Sequence, residues 1–261
     1  MSAITAPTTD VPPTLPVLED VGKVSFLRLV AIELRKSVNT RAGMWLMIVM
    51  AGISLVVVGA FAIWGPDEGR TFATFLGLTG TPLMMLLPIV GIMLATQEWS
   101  TRTGLVTFTL EPRRGLVVAA KLVASIVLGL LVLAAAFVAA GLVTTLVGGQ
   151  WSLAGVSVGG MVLAMVIFVL QGAGFGLAFL NTPFAIVASL VLPTAWTIAI
   201  GLITALRDVA PWLNLEQPVG LLLSGAGMTG ENWAQLGTAS LVWVGLPIAV
   251  GTWRVLTREV K

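Results

Sequence analysis

Long apolar runs alternate with short polar interruptions along this chain, and the runs have the length of membrane-spanning helices. A bilayer core of about 30 Å takes about 20 apolar residues as helix, and residues 44–64 and 71–97 each supply one such run. Between Leu122 and Leu206 there is no charged residue. That stretch is too long for one or two spans, and turn chemistry interrupts it at Gly148-Gly149-Gln150-Trp151-Ser152 and at Asn181-Thr182-Pro183. It therefore divides into three helices, 122–147, 155–180 and 184–206, and a sixth span covers 234–253. The intervening segment 207–233 holds Pro211, Trp212, Pro218 and a short apolar piece, 219–223. A piece that short cannot span, so it is expected to dip into the membrane or lie at its interface.

Ahead of the first span the pattern is amphipathic. Leu27, Val30, Ala31, Leu34 and Val38 recur at i, i+3, i+4, i+7 and i+11, while Arg28, Glu33, Arg35 and Lys36 fall on the other side of the helix. A helix over 23–42 with a basic face suits the headgroup region. An ordinary surface helix is the alternative, and the immediate approach to a span favours the interfacial reading. Residues 1–22 carry Pro7, Pro12, Pro13 and Pro16 among Thr, Ala and acidic residues. They read as a disordered tail rather than a signal peptide. The expected fold is thus all-α and polytopic, with a tail (1–22), an amphipathic helix (23–42) and a six-helix transmembrane domain (43–257). Within that domain lie a loop at 98–115 and the interfacial or re-entrant segment 207–233.

Composition sharpens the class. Of 261 residues, 57% are hydrophobic and only 10% charged, against about 25% charged in a soluble domain. With no Cys and no His, disulfides, thiol catalysis, thiolate or imidazole metal sites and a Ser-His-Asp triad drop out. A net charge of +2 is too small to point to nucleic acid. Six spans place both termini on one side, with Lys23, Arg28, Arg35, Lys36, Arg41, Arg102, Arg113, Arg114, Lys121, Arg254, Arg258 and Lys261. Of the 14 basic residues only Arg70 and Arg207 fall opposite. The positive-inside rule then orients both termini to the cytoplasm, in a plasma or inner membrane.

The spans so drawn contain no ionisable group, whereas proton- or ion-coupled carriers usually keep one at mid-membrane depth. Gln171 and Asn181 are the strongest polar side chains there. Pro82, Pro88 and Pro193 either break helices or merely pack within them. No G-x-x-x-x-G-K-[ST] motif occurs, the only Gly-Lys pair being Gly22-Lys23, so ATP-driven work needs a nucleotide site on another chain. Gly155 with Gly159, and Gly172 with Gly176, form small-xxx-small pairs that serve packing within the chain or dimerisation.

The most distinctive polar stretch follows the second span: Gln97-Glu98-Trp99-Ser100-Thr101-Arg102-Thr103-Gly104, then Glu111-Pro112-Arg113-Arg114-Gly115, ending at Lys121. Flanking Arg and Lys anchor spans at headgroups. The spacing also allows a Glu98–Arg102 ion pair at i, i+4, and Pro112 would start or stop a short helix, making the loop a rigid elbow.

With its N-terminal interfacial helix, six spans, E-x-x-x-R-T-G after span two and Pro-Arg-Arg-Gly before span three, the chain resembles the permease subunits of ABC-2 type (type V) exporters. The actinobacterial branch, in which permease and ATPase are separate chains, is the nearest likeness. The resemblance implies a membrane subunit that is not itself an enzyme and holds no cofactor. ATP and Mg would bind a partner cytosolic ABC ATPase subunit. A second permease copy or a sister permease would complete the pair, among membrane lipids and without nucleic acid. Carried over, 27–41, with Arg28, Arg35 and Lys36, would be the connecting helix. Glu98, Arg102, Thr103 and Gly104 would be the ATPase-coupling helix, and Glu111, Pro112, Arg113 and Arg114 the entry to span three. Spans two and five would line the path, with Met84, Met85, Leu87, Thr194, Trp196 and Thr197 as candidates. The expected function is export of a substrate, amphipathic or lipidic by the lining's character. The alternatives are a gradient-driven carrier or channel and a non-transporting membrane scaffold.

Overall fold

The structure, a computed structural model, describes residues 24–258. The tail 1–22, Lys23 and Lys261 lie outside the described residues. The described chain is helical: α1 (Phe26–Asn39), α2 (Arg41–Trp64), α3 (Phe72–Ser100), α4 (Gly104–Leu110), α5 (Arg114–Leu146), α6 (Val158–Phe179), α7 (Thr182–Leu202), α8 (Ala210–Leu213), α9 (Glu216–Ser224), α10 (Gly230–Ser240) and α11 (Leu246–Thr257). A π-helical turn, Leu241–Gly245, joins α10 to α11. Six rods are long and apolar enough to cross a membrane: α2, α3, α5, α6, α7 and the continuous Gly230–Thr257. The protein is a multi-pass membrane protein.

Exposed tryptophans mark the membrane's two edges. Trp45 and Trp64 stand near opposite ends of α2, both exposed. The rise between them is roughly 28 Å at about 1.5 Å per residue, close to the bilayer core of about 30 Å. Such aromatic belts sit at headgroup level. Trp253 lies near the basic end, and Trp151, Trp212 and Trp233 join Trp64 at the other. At 33 residues, α5 runs roughly 50 Å and projects beyond the core. The helix begins at Arg114, ahead of the span expected from 122, and α1 packs against it.

Two helices hold the centre. α6 packs against α3, α5, α7, α9 and α11, and α3 meets it so closely that no side chain fits between. A Cβ on Gly172 would strike the carbonyl oxygen of Pro88, and one on Gly91 the carbonyl oxygen of Val169. Without a hydrophobic drive between helices in lipid, such backbone contact maximises dispersion. Gly172 and Gly176 therefore serve packing within the chain, while Gly155 and Gly159 have nothing within 4 Å. The helices pass through Pro82, Pro88 and Pro193 without interruption. Pro247 lies just beyond the π turn, where the widened turn accommodates a residue lacking its N–H.

At the end opposite α1, the first amides of α3 find acceptors in a neighbouring loop. Phe72 N–H donates to the Gln150 carbonyl and Ala73 N–H to the Ser152 carbonyl, each at 2.9 Å, while Trp151 stacks on Phe72. The short apolar piece at 219–223 is part of α9, which buries Pro218, Val219 and Leu222 against α6.

Gly172→Val should abolish the α3–α6 crossing, since overpacking costs about 1–3 kcal/mol even where side chains can yield and here the obstacle is backbone. Size-exclusion profile and thermal midpoint in detergent are the readouts. Gly159→Ala should leave both unchanged, and a wild-type midpoint for Gly172→Val would contradict the crossing.

Candidate functional site

The charges of the basic end form two assemblies. The first is a closed ring of two ammoniums and two carboxylates from three helices. Lys121 Nζ on α5 donates to Glu33 Oε2 on α1 at 2.7 Å and to the Leu94 carbonyl at 3.1 Å. It also lies 2.6 Å from Glu98 Oε2 on α3, a second ion pair. Lys36 Nζ donates to Glu33 Oε1 at 2.8 Å and to Glu98 Oε1 at 3.2 Å. Glu33, Glu98 and Lys121 are 4%, 2% and 3% exposed. Charges so buried persist only when paired.

This arrangement corrects two expectations. Glu98 pairs with Lys36 and Lys121, not with Arg102. Helix α3 stops at Ser100, and Arg102 takes a left-handed conformation (φ 57°). Thr103 N–H then donates back to the Glu98 carbonyl at 3.0 Å, a 6→1 closure that usually has glycine at the position Arg102 occupies. The turn thus removes the i, i+4 geometry. Glu33, assigned to the solvent side of α1, points inward with Phe26, Leu29 and Val30, while Leu27, Ala31 and Val38 of the expected apolar stripe are exposed. Two apolar stripes exist on α1, and the buried one contains the carboxylate.

The second assembly fixes the elbow. Arg113 grips Glu111 with two donors, Nε to Oε1 at 2.7 Å and Nη2 to Oε2 at 2.9 Å, and Nη2 also donates to the Val24 carbonyl. The Arg113 hydrogen bonds hold the Glu111 carboxyl below its ordinary pKa, outweighing desolvation. Arg114 donates to the carbonyls of Val255 and Arg258 at the end of α11, at 3.2 and 2.7 Å, and lies over the Phe108 ring. A guanidinium there offsets the negative helix terminus.

Between these assemblies stands α4, tethered by Trp99 against Phe108. It turns Leu105, Val106 and Leu110 outward, 58%, 59% and 77% exposed. Arg102, Thr103, Pro112 and Arg113 are exposed around it, whereas Gly104 and Glu111 are buried. Arg28 and Arg35 are exposed on α1 and Lys36 is half-buried. Sequence reasoning missed the outward apolar face of α4 and the pairing of Glu33 with Lys121. The first was legible as Leu105, Val106 and Leu110 in a polar loop.

Of the lining candidates, Leu87 is fully buried and Met84 9% exposed within the chain. Met85, Thr194 and Thr197 are exposed, and both threonines return their hydroxyls to their own helix. Trp196 has a buried indole N–H without a partner, beside Gln171, Asn214 and Glu216 in a small cleft. Compared with known proteins, the chain matches no family model and no curated sequence.

Removing one partner of a buried pair costs about 3–5 kcal/mol. Lys121→Met should therefore lower the thermal midpoint and raise hydrogen exchange throughout α1, while a fully neutral quadruple variant (Glu33→Gln, Lys36→Met, Glu98→Gln, Lys121→Met) recovers much of the loss. Burial lowers the Lys36 pKa, but its bonds to Glu33 and then its attraction to both carboxylates outweigh this and raise it. Its contribution is thus complete below its ordinary 10.5 and lost above the raised value. Exchange in α1 should accelerate only on strongly alkaline titration; release of α1 between neutrality and mild alkalinity would refute the Lys36 linkage.

Proposed function

We propose that this chain is the membrane-spanning subunit of an ATP-driven exporter of the ABC-2 type. It works beside a second copy or sister permease and on a cytosolic ATPase that binds ATP and Mg. The observation that carries the reading is α4: a short helix with an outward apolar face and flanking arginines, mounted on an elbow tied to α1, α3, α5 and α11. A soluble motor needs such a protruding, firmly seated handle. By the positive-inside rule the end bearing α1 and α4 faces the cytoplasm, with both termini on that side of the cell membrane.

The proposed mechanism follows from the ties. Closure of the ATPase pair displaces α4, and the ring and the arginine clamps pass that displacement to α3, α5 and α1 together. α7 supports a paired permease: its first half packs on α3 and α6, while the half carrying Thr194 and Thr197 is largely exposed. The candidate path of this reading runs past that half and the exposed Met85, and its apolar character favours an amphipathic or lipidic substrate. The chain itself performs no covalent step.

Burial of Glu33 and Glu98 beside the bilayer favours a second reading, a carrier coupled to an ion gradient through carboxylates. It predicts substrate flux in proteoliposomes lacking both ATPase and ATP.

The test is co-purification with a P-loop ATPase followed by ATP hydrolysis measurements. Val106→Glu should weaken the complex about thirtyfold, the scale of losing a 2 kcal/mol interface anchor, with the permease's own thermal midpoint unchanged. Arg102→Gly should reduce coupling while leaving stability equal or higher, because glycine adopts the left-handed conformation without cost. Wild-type complex formation and coupling in both variants would remove α4 from the mechanism.

A further inference from the structure

Three neighbouring cavities lie along α2, sharing Lys36 and Leu94 with the charged ring. At the basic end is a mouth of about 320 Å³ lined by Ile32, Arg35, Lys36, Asn39, Thr40 and Gln97. Thr40 and Gln97 also line the next cavity, about 260 Å³, beneath the α1–α2 junction. Met47 is shared between that cavity and a third, about 490 Å³, which lies between α2 and α5 over α3.

The third cavity exists because α2 leans on α3, while α5 turns the small residues Ala135, Ala136 and Ala139 toward the gap. It offers no free polar group. Ser54 Oγ donates to the Thr79 carbonyl at 3.3 Å, and Thr79 Oγ1 to the Phe75 carbonyl at 2.7 Å. An empty apolar groove at this depth opens to acyl chains, which fill it at no cost in polarity.

The mouth has the opposite chemistry. Arg35 pairs with no carboxylate among the described residues, and Lys36 retains partial exposure beside it. Gln97 Nε2 is directed to the Lys36 carbonyl at 3.4 Å, and Gln97 Oε1 is buried without a donor. The mouth therefore presents an unpaired guanidinium next to the apolar cavities along α2.

We propose that this groove is a binding site for one anionic glycerophospholipid of the surrounding bilayer, with phosphatidylglycerol as the probe. Its phosphate lies at Arg35, and one acyl chain passes Met47 into the space between α2 and α5. The lipid fills the gap that the alanines of α5 leave and links the α1–α2 junction to the bundle.

The experiment is native mass spectrometry of the full chain purified in detergent, titrated separately with phosphatidylglycerol and phosphatidylcholine. One retained phosphatidylglycerol per chain is expected, with weaker retention of phosphatidylcholine. Arg35→Ala should weaken phosphatidylglycerol about fivefold, the factor that corresponds to about 1 kcal/mol per basic residue near an anionic headgroup, and weaken phosphatidylcholine less, since its choline offsets the phosphate charge. Ala139→Phe, at an exposed position of the groove wall, should displace both lipids while the lipid-free thermal midpoint holds. Equal retention of the two lipids by the wild type, or undiminished phosphatidylglycerol in either variant, overturns the proposal. Dissociation of a dimer by Ala139→Phe would assign the groove to a second copy of the chain and overturn it equally.

Discussion

A buried ammonium is the constraint from which this architecture follows. Lys121 sits two turns into α5, and an amine that far from water persists only beside negative charge. No carboxylate on α5 can supply it, so α3 contributes Glu98 and α1 contributes Glu33. The second demand decides the posture of α1. Its carboxylate must face α5, so Phe26, Leu29 and Val30 turn inward with it, and the other apolar stripe, Leu27 and Val38, is left outward. A helix that could have floated at the membrane surface is thereby fixed across the bundle's end, and Lys36 completes the neutralisation.

The six spans were legible because an apolar run of bilayer length has few other uses, and the break points at Gly148–Gly149 and Asn181–Pro183 carried ordinary turn chemistry. Boundaries were less legible for one physical reason. A charge reads as the end of a span, yet Lys121 is held inside a longer helix by a partner at position 33, which no local window connects to it. The same distance hid the mate of Glu98. Local spacing offered Arg102, and only the backbone reversal at Arg102 shows why that pair cannot form. On α1 two apolar stripes of similar quality compete, and the choice between them lies in tertiary pairing.

The segment singled out from sequence, 98–115, holds several of these contacts, but with other partners than local spacing offers. Glu98 and Glu111 support from within, Arg113 and Arg114 clamp, and α4 presents the outward surface. Because the ring joins α1, α3 and α5, the surface helix and the end of α3 that leads into the elbow are one body. The elbow and the surface helix cannot be displaced independently without separating charges in a dry site.

The ring has a further electrical property. Two ammoniums and two carboxylates carry no net charge, and their centres lie within a few hydrogen-bond lengths of one another. A transmembrane voltage does work of about 2.3 kcal/mol per elementary charge per 100 mV, so it does almost none on this group. A joint built from one unpaired lysine would have tightened or loosened with every change in membrane potential. This one offers the potential no net charge to act on, so the hold on α1 does not vary with voltage.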